Sequence, residues 1–399
     1  MLTNKNIILA VTGSIAAYKI ANLASMLKKL NADVTVMMTE NATNFINPIT
    51  FETLTGNKCL VDTFDRNFQY SVEHVSIAKK ADVVMIAPAS ANVIAKMAHG
   101  IADDMLTTTV LACKCKKIVA PAMNTNMFTN EIVQDNIEVL KKYGFEIVEP
   151  DSGRLACGDI GAGKLPSEEV LLSYILKEAA CQKDMVGMKV LVTAGPTREY
   201  IDPVRFITNH STGKMGYAIA ENCMRRGADV ILVTGPTSIK KPDFVKVIDI
   251  ISADDMFNAV KDNMENMDII IKAAAVADFT PQAYVDEKIK KENKADIGIS
   301  LKKTTDILSY LGEHKKANQF ICGFAMETQN VIENARGKLN RKHADMIVAN
   351  SLKQEGAGFG VDTNIVTIIT KDGEEQLPIM SKEKVASVII DNILTLRNS

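Results

Sequence analysis

The most reactive side chain that the sequence offers is a cysteine inside a glycine-rich segment. Residues 153–166 contain four glycines and one proline around Cys157, with Arg154, Asp159 and Lys164 close by. Glycine allows positive φ and close approach of the backbone, so the segment is predicted to be a loop or flap rather than a helix or strand. A thiol on such a flap could reach a substrate, although most cysteines are buried and unreactive.

The same segment partly resembles a phosphate-binding P-loop between Gly158 and Lys164. Leu165, however, stands where that motif requires a serine or threonine to bind magnesium, and no strand is predicted to lead into it. We therefore reject the P-loop interpretation.

Alternating strands and helices are needed to position these residues. The continuous apolar run at 7–11 is typical of a strand buried on both faces of a parallel sheet, and further strands are predicted at 34–38, 83–86, 117–120 and 145–148. Strand–helix alternation at this spacing predicts an α/β fold with a doubly wound, Rossmann-like parallel sheet and right-handed crossovers.

Small polar residues or prolines follow several of these strands. They are Gly13 and Ser14, Thr39, 88–92 and 121–124. Ligands of such sheets bind outside the carboxyl ends of the strands, and hydroxyls and free amides at a helix N-terminus bind phosphate. A single turn of this kind is explained by tight packing alone, but three or four together favour a phosphate-bearing ligand.

The glycine fingerprint of a dinucleotide site is missing from the first strand–helix turn. After Gly13, the required spacings hold Ile15 and Tyr18 instead of glycines. Glu40 could imitate the acid that binds ribose, but alone it is weak support. A mononucleotide therefore fits this turn better than a dinucleotide.

The chain repeats its opening theme in the second half. A helix predicted from about Ser167 to Ala180 is followed by a stretch without a clear period, and a buried strand begins again at Lys189. We predict a first domain at 1–183, a linker at 184–188 and a second domain at 189–399. No closer internal repeat is visible, which favours two separate nucleotide-binding folds.

A second unusual segment, 202–216, interrupts the expected step from strand to helix. Gly213 and Lys214 do not form a Walker A motif, because Met215 and Thr208 occupy positions where that motif requires Ser/Thr and Gly. The segment is still a helix entry rich in glycine and hydroxyls and carrying a cation, which suits a phosphate or carboxylate. A short-chain reductase is the main rival, but no helix that carries a Tyr-x-x-x-Lys pair is predicted, and Pro196 blocks the tight glycine turn.

Composition narrows the possible functions further. Of 399 residues, 47% are hydrophobic and 24% charged, and the net charge of −2 gives no field that favours nucleic acid or an anionic membrane. The sequence shows no signal peptide and no apolar run of about 18 residues. Seven scattered cysteines fit a reducing cytoplasm, and Cys113 with Cys115 are too few for zinc.

Long motifs in the first half resemble the flavin-containing cysteine decarboxylases. With the second half included, nearly the whole chain resembles the bacterial bifunctional phosphopantothenoylcysteine decarboxylase/phosphopantothenate–cysteine ligases of coenzyme A synthesis. The motifs of the first half are 13–19, 88–92, 96–104 and 121–124, and those of the second are 209–216, 272–279, 288–291, 323–328 and 338–342.

For the first half the resemblance implies an FMN-dependent decarboxylation. The flavin would oxidise the cysteine thiol to a thioaldehyde, carbon dioxide would leave, and the enethiolate would be reduced again. His74 is implied as an active-site histidine, Asn124 as the group that holds the substrate carboxylate, and Cys157 as the acid that completes the reduction. Phe128 stands where the family usually has tryptophan, a mild departure that keeps the apolar wall. The implied FMN-binding residues are Gly13, Ser14, Thr39, Ser90, Ala91 and Asn92.

For the second half the resemblance implies that CTP and Mg²⁺ activate the carboxylate of 4′-phosphopantothenate as an acyl-cytidylate, which the amine of cysteine attacks. Lys288 would stabilise the triphosphate in the transition state, and Asn209 would hold the acyl intermediate. The residues themselves do not decide between CTP and ATP, and no metal ligand is assigned. The implied nucleotide-binding residues are Ala273, Ala274, Ala275, Asp278, Lys288, Thr305, Asp306, Ile307, Leu308, Phe324, Lys338 and Lys342.

The family's oligomers imply trimers through the first domain, with the flavin between subunits, and dimers through the second, which together could form a dodecamer. Two alternatives stay open at this point. One is a nicotinamide-dependent oxidoreductase with two dinucleotide folds, which the failed glycine fingerprints weaken. The other is a catalytically inactive, flavin-binding regulatory protein, against which the intact candidate side chains argue.

Overall fold

The computed structural model divides the chain into two compact units, Met1–Gln182 and Lys183–Ser399. Residues 184–188, predicted as a linker, belong to the second unit, where Met185 is fully buried and its amide donates to the carbonyl of Arg226 at 3.0 Å. The structure describes residues 1–63, 73–155, 158–290, 298–327, 330–351 and 360–398.

The first unit is built on a five-stranded parallel sheet in the order β2-β1-β3-β4-β5. Its central strands are apolar throughout and fully buried, because helices cover both faces. The predicted fold class is therefore confirmed here. The strands are β1 Asn6–Val11, β2 Asp33–Met38, β3 Val83–Ala89, β4 Lys116–Pro121, β5 Glu146–Ile147, β6 Asp151–Arg154 and β7 Ile160–Lys164, and the helices are α1 Ala17–Lys29, α2 Pro48–Thr55, α3 Glu73–Lys80, α4 Ala91–Ala98, α5 Met105–Ala112, α6 Thr125–Phe128, α7 Glu131–Lys142 and α8 Glu168–Ala179.

The glycine-rich segment differs from the prediction. It was expected to be a loop, but β6 and β7 pair as an antiparallel hairpin, with Arg154 opposite Ile160 and Gly153 opposite Gly161. Its residues are mostly exposed, so the segment lacks the buried apolar side chains that normally indicate a strand. Backbone pairing between the two strands, and not burial, makes this segment regular.

The second unit contains an eight-stranded sheet in the order β12-β11-β8-β13-β16-β17-β19-β20. Its first six strands are parallel, and β19 and β20 extend the edge in antiparallel pairing, which the sequence did not predict. The strands are β8 Lys189–Ala194, β9 Arg198–Tyr200, β10 Phe206–Thr208, β11 Asp229–Thr234, β12 Lys246–Asp249, β13 Ile269–Lys272, β14 Phe279–Pro281, β15 Leu301–Lys303, β16 Phe320–Glu327, β17 Met346–Ser351, β18 Thr363–Asn364, β19 Val366–Ile369, β20 Glu374–Gln376 and β21 Met380–Ser381.

Helices on both faces of this sheet bury two apolar clusters. The parallel strands follow the doubly wound order 3-2-1-4-5-6. The first three strands are added toward one edge of the sheet and the next three toward the other, so the order reverses between β8 and β13. A ligand site is expected at that point, outside the carboxyl ends. The helices are α9 Lys214–Arg225, α10 Ala253–Asn263, α11 Ile307–His314, α12 Val331–Arg341 and α13 Lys382–Asn398.

None of the helices in the described part of the chain combines the length and the apolar character that crossing a lipid bilayer requires.

Candidate active sites

Three strand-end turns of the first unit are tied together at one edge of its sheet. The hydroxyl of Thr12, after β1, donates to the carbonyl of Pro88 at 2.7 Å and accepts from the amide of Ser90 at 2.9 Å. Gly13 lies so close to the turn after β2 that a Cβ there would come within 2.9 Å of the Asn41 Cβ. A sheet with this strand order binds its ligand between β1 and β3, where these turns lie.

Polar groups at these turns fit the phosphate and polar edge of a flavin mononucleotide. Thr39 and Ser90 are N-cap residues, and Ser90 begins α4, whose first turn holds Ala91 and Asn92. Ser14 adds a partly exposed hydroxyl before α1. Helix N-termini present unpaired amides to an anion, and small side chains leave room for it. The structure therefore brings the six predicted flavin-binding positions to one edge of the sheet.

A cavity of about 500 Å³ begins at the first of these turns. Its walls come from residues 14–19, from 122–124 after β4, and from both strands of the β6–β7 hairpin. Asn124 lies in this wall, where its side-chain oxygen accepts from the amide of Asn126 at 2.8 Å and its side-chain amide donates to Asp159 at 2.9 Å. The hairpin thus closes one side of the cavity that contains Asn124.

Gly163 brings β7 against this wall. Its carbonyl accepts from the amide of Met123 at 3.0 Å, and its φ of +120° suits glycine. A Cβ at this position would lie 2.3 Å from the carbonyl oxygen of Met123. On the other side, the ammonium of Lys19 donates to the carbonyl of Leu165 at 3.2 Å. The hairpin is therefore attached to both neighbouring walls by its own backbone.

Two predicted catalytic residues, His74 and Cys157, are not among the described residues that line this cavity. His74 lies in the first turn of α3, is partly exposed and is not among the side chains described as lining the cavity. Cys157 lies outside the described residues. Leu155, two positions earlier, lines the cavity, and its carbonyl accepts from the amide of Gly158 at 2.9 Å. The roles of His74 and Cys157 stay predictions.

In the second unit a cavity of about 520 Å³ lies at the carboxyl ends of the parallel strands. One wall is the segment 209–216, which ends at the first turn of α9. The others are 272–276 after β13 and 324–326 from β16. This is the place that the strand order predicts for a ligand.

Asn209 connects two of these walls. Its side-chain amide donates to the carbonyl of Val276 at 3.0 Å and approaches that of Ala275 at 3.4 Å. The predicted ligase residue therefore touches the predicted nucleotide-binding stretch Ala273–Ala275, and Ala273 and Ala274 line the same cavity. The motifs that begin at Asn209 and Lys272 start 63 residues apart in the sequence, yet they meet in one site.

A second cavity of about 310 Å³ shares part of this lining. It is formed by 303–308, which includes the predicted Thr305, Asp306, Ile307 and Leu308 at the N-terminus of α11. The side chains common to both cavities are Lys272, Val276, Asp278 and Lys338.

Cations of α12 are held at this border by oxygen atoms. The ammonium of Lys338 donates to the carbonyl of Phe324 at 3.0 Å, and that of Lys342 donates to Asp306 at 2.7 Å. Burial opposes ionisation of Asp306, but the Lys342 ammonium and the amide of Ser309 outweigh it and lower the pKa of this carboxyl below its usual value. The predicted nucleotide-binding residues Lys338 and Lys342 therefore each contact another predicted nucleotide-binding residue, Phe324 and Asp306 respectively.

Lys288 lies apart from these cavities. It is exposed and is not among their described lining residues. Its segment is anchored by Asp202, which is fully buried and accepts from the amides of Val204, Arg205 and Ile289 at 2.8, 2.8 and 3.2 Å. Burial would raise the pKa of Asp202, but these bonds and the Arg205 guanidinium hold it at about 2. The rest of the lysine-rich stretch, 291–294, lies outside the described residues.

Four further polar residues line the larger cavity, of which Lys214 and Lys272 lie in the sequence motifs, while Asn350 and Lys382 were not predicted. Asn350 is 7% exposed, and its side-chain oxygen has no hydrogen-bond partner within the described part of the chain. Lys214 donates to Asp362 at 2.7 Å, whereas Lys382 donates to a backbone carbonyl. Lys272 ends an apolar strand. A buried polar group without a partner is rare and marks a place where a ligand completes the bonding.

A flavodoxin-like strand order followed by a six-stranded Rossmann order, each with a cavity at the carboxyl ends, defines a two-unit α/β protein of the nucleotide-binding class. Two family models match the chain, "Flavoprotein" over residues 1–180 and "DNA/pantothenate metabolism flavoprotein C-terminal domain" over residues 185–396. Among the described residues, no group of three or more His, Cys, Asp or Glu side chains could hold a metal ion.

Similar proteins cover the whole chain. The coenzyme A biosynthesis bifunctional protein CoaBC of Bacillus subtilis is 48% identical over 99% of this chain and 98% of its own. The CoaBC protein of Escherichia coli is 40% identical over the same shares. A crystal structure of the C-terminal domain of a CoaBC protein covers 55% of this chain and 100% of its own, at 46% identity and a TM-score of 0.47. The chain belongs to the family of bifunctional coenzyme A biosynthesis proteins.

Proposed function

We propose that the second unit couples 4′-phosphopantothenate to cysteine at the expense of CTP, and that the first decarboxylates the product, 4′-phospho-N-pantothenoylcysteine, to 4′-phosphopantetheine. The observation that carries this proposal is that several of the family's motifs, scattered along the sequence, meet at two cavities. Motifs 13–19 and 121–124 meet in the first unit, and motifs 209–216, 272–279 and 323–328 meet in the second. Membership of the family supports the pairing of the two activities. The failed dinucleotide fingerprints leave the oxidoreductase alternative without support.

In the ligase step, the nucleotide would lie across the two cavities that meet at Asp278 and Lys338. A carboxylate oxygen is too poor a leaving group for an amine to displace, so it must first attack the α-phosphorus of CTP and release pyrophosphate. Cationic side chains there would offset the developing charge, with Lys288 brought in during the reaction. Asn209 would orient the acyl-cytidylate while the amine of cysteine attacks its carbonyl and CMP leaves.

In the decarboxylase step, Asn124 would hold the substrate carboxylate through its side-chain amide, which the hairpin now occupies with Asp159. The flavin, when bound, supplies the acceptance and return of a hydride. The hairpin would exclude water from the cavity, and Cys157 would deliver the proton that completes the reduction. His74 lies outside the described lining, which is consistent with a site completed by a neighbouring subunit of a trimer.

Assembly, metal and compartment belong to the same proposal. Trimers of the first unit and dimers of the second could build a dodecamer, as in the family that the motifs resemble. Mg²⁺ would arrive on the phosphates of the nucleotide rather than in a protein cage. No disulfide joins the six cysteines of the described residues, which supports a reducing cytoplasm. No interaction with nucleic acid or a membrane is proposed.

The decisive experiment incubates the purified protein with 4′-phosphopantothenate, cysteine, CTP and Mg²⁺ and measures CMP and carbon dioxide. Both products are expected, together with the visible absorption of bound FMN. A colourless protein that binds NADPH would overturn the proposal in favour of an oxidoreductase. Bound flavin with neither CMP nor carbon dioxide would leave only a regulatory binding role.

Two variants separate the halves. Lys288→Gln is expected to abolish CMP release while supplied 4′-phospho-N-pantothenoylcysteine is still decarboxylated. Cys157→Ser is expected to release carbon dioxide but to stop at an oxidised, enethiol-type product. Loss of both activities in Lys288→Gln, or normal 4′-phosphopantetheine from Cys157→Ser, would contradict the roles assigned to these side chains.

A further inference from the structure

Lys272 occupies an unusual position for a charged residue. It is the last residue of β13, after three fully buried isoleucines, and pairs with Thr193 on β8 and Gly323 on β16 in the middle of the sheet. Its side chain lies at the border of the two cavities of the second unit and lines both. Lys272 is only partly exposed, and an ammonium that is held at the end of an apolar strand and partly away from water gains from an oxygen partner.

Hydrogen bonds within the protein do not supply that partner. Lys272 donates no hydrogen bond to any residue of the described ranges, in contrast to Lys338, Lys342 and Lys214, which bind a carbonyl or carboxylate oxygen. Those three cations already donate to an oxygen atom of the protein, whereas Lys272 does not in the part of the chain that the structure describes. An ammonium has three donors, and here all three are free to meet a ligand.

The charged groups that face Lys272 come from three directions. Lys338 on α12 repels it, while Asp306 at the start of α11 and Asp278 after β13 attract it. Asp306 is shared with Lys342, and Lys303 lines the smaller cavity from β15. Burial, followed by the charge of Lys338, lowers the pKa of Lys272 to about 8.

We propose that Lys272 is a further phosphate-binding cation of the nucleotide site, and that it takes up a proton when the triphosphate arrives. The inference rests on the proposed function, because it takes the nucleoside triphosphate as the occupant of these cavities. The polyanion replaces the missing partner and stabilises the ammonium form. The proton comes from the buffer and binds the lysine nitrogen, so no bond of the substrate is changed.

The sign of the pH dependence follows directly. In the free protein Lys272 is charged below its pKa of about 8 and neutral above it. If CTP binds only the charged form, its affinity is close to its maximum at pH 7 and about tenfold lower at pH 9. At pH 8 about half a proton is taken up per site on binding, because half of the lysines are neutral before it.

The test is calorimetric titration of the full-length protein with CTP and Mg²⁺ at pH 7, 8 and 9, in two buffers that differ in ionisation enthalpy. The wild type is expected to show the tenfold loss and the half proton at pH 8. Lys272→Met is expected to bind about 10- to 100-fold more weakly at pH 7, with no proton uptake, because a charge-assisted hydrogen bond is lost.

Lys272→Arg is the sharper variant, since its guanidinium stays charged throughout this range. It is expected to bind CTP near the wild-type affinity at pH 7 and to lose both the proton uptake and the pH dependence. Lys246→Met, an exposed lysine at the opposite end of the sheet, is the matched control and should behave as the wild type. A two-transition thermal or urea unfolding curve, with the second unit's transition at the wild-type midpoint, shows that this unit is folded in each variant.

Two results are decisive against the inference. Wild-type affinity and proton uptake in Lys272→Met would overturn it while leaving the proposed function intact, and so would a pH dependence that persists unchanged in Lys272→Arg. A wild-type protein that binds no CTP at any pH would instead overturn the proposed function, and this inference with it.

Discussion

The contact between Gly163 and Met123 allows the role of the hairpin to be tested with a single methyl group. In Gly163→Ala the added Cβ would lie 2.3 Å from the carbonyl oxygen of Met123, well inside van der Waals contact. The φ of +120° is also unfavourable for alanine. The backbone atom cannot rotate away as a side chain would, so the hairpin must leave the cavity wall.

The size of the effect follows from these two costs. A residue with a side chain in a sparsely populated region of φ and ψ costs about 1–3 kcal/mol, and the clash with the Met123 carbonyl oxygen adds to this cost for as long as the hairpin stays docked. Together they disfavour the docked hairpin by at least about 1–3 kcal/mol, or roughly 5- to 150-fold. The docked population falls once this cost exceeds the free energy that docks the hairpin in the wild type.

The assay compares the two activities in one preparation. Decarboxylation of supplied 4′-phospho-N-pantothenoylcysteine is expected to fall several-fold or more in kcat/KM, while CMP release by the second unit stays unchanged. Gly144→Ala is the matched control. It has φ +83° and open space around its Cβ position, so it carries the backbone strain without the clash.

The outcome that refutes this reasoning is normal decarboxylation by a folded Gly163→Ala protein, which would mean that the docked hairpin is not the active arrangement. Equal loss in Gly144→Ala would assign the effect to general destabilisation of the first unit. Equal loss of CMP release would mean that the two units do not function independently.

Two further predictions concern the second unit. Arg226→Met removes ion pairs of 2.5 and 2.6 Å to Asp184 and Asp391, and it should lower the free energy of unfolding of this unit by about 1–3 kcal/mol in urea. The control Arg225→Met loses one i,i+4 ion pair and should cost under about 0.5 kcal/mol. Equal effects of the two substitutions would contradict this prediction. Asp202, with its pKa held at about 2, should contribute stability fully above about pH 4 and lose it as the pH falls toward 2, and a carboxyl NMR titration with a midpoint near 4 would refute the hydrogen-bond assignment.

Buried parallel strands could be predicted well because their signal is strong and local. The run from Ile7 to Val11 is β1, and the helix predicted from Ser167 to Ala180 is α8, with Ser167 as its N-cap. The β6–β7 hairpin was not predicted, because glycines and exposed residues carry no period that reports backbone pairing. A strand that forms because it pairs with another strand, and not because it is buried, cannot be predicted from its own residues alone.

The sites were predictable to a different extent. Strand-end turns such as that of Thr12 and Ser90 could be expected to meet, because the carboxyl ends of parallel strands share one edge. The partnerless oxygen of Asn350 could not be expected, since satisfaction of a buried group depends on every residue around it. Lys272 was visible in the sequence as a charge after three isoleucines, but its significance depends on Lys338, which is far away along the chain.

The arrangement of charge at the nucleotide site explains why the protein can keep several lysines together before a ligand arrives. Lys342 forms an ion pair with Asp306, and the ammonium of Lys338 donates to a carbonyl oxygen, so each of them is held by an oxygen atom of the protein. Lys272 has no such partner among the described residues. Burial and the charge of Lys338 lower its pKa, so it loses its proton more readily than an ordinary lysine. A triphosphate reverses that balance, because each negative oxygen favours the charged form. The change in nucleotide affinity with pH and the number of protons taken up by this partly buried side chain then report the same linkage free energy.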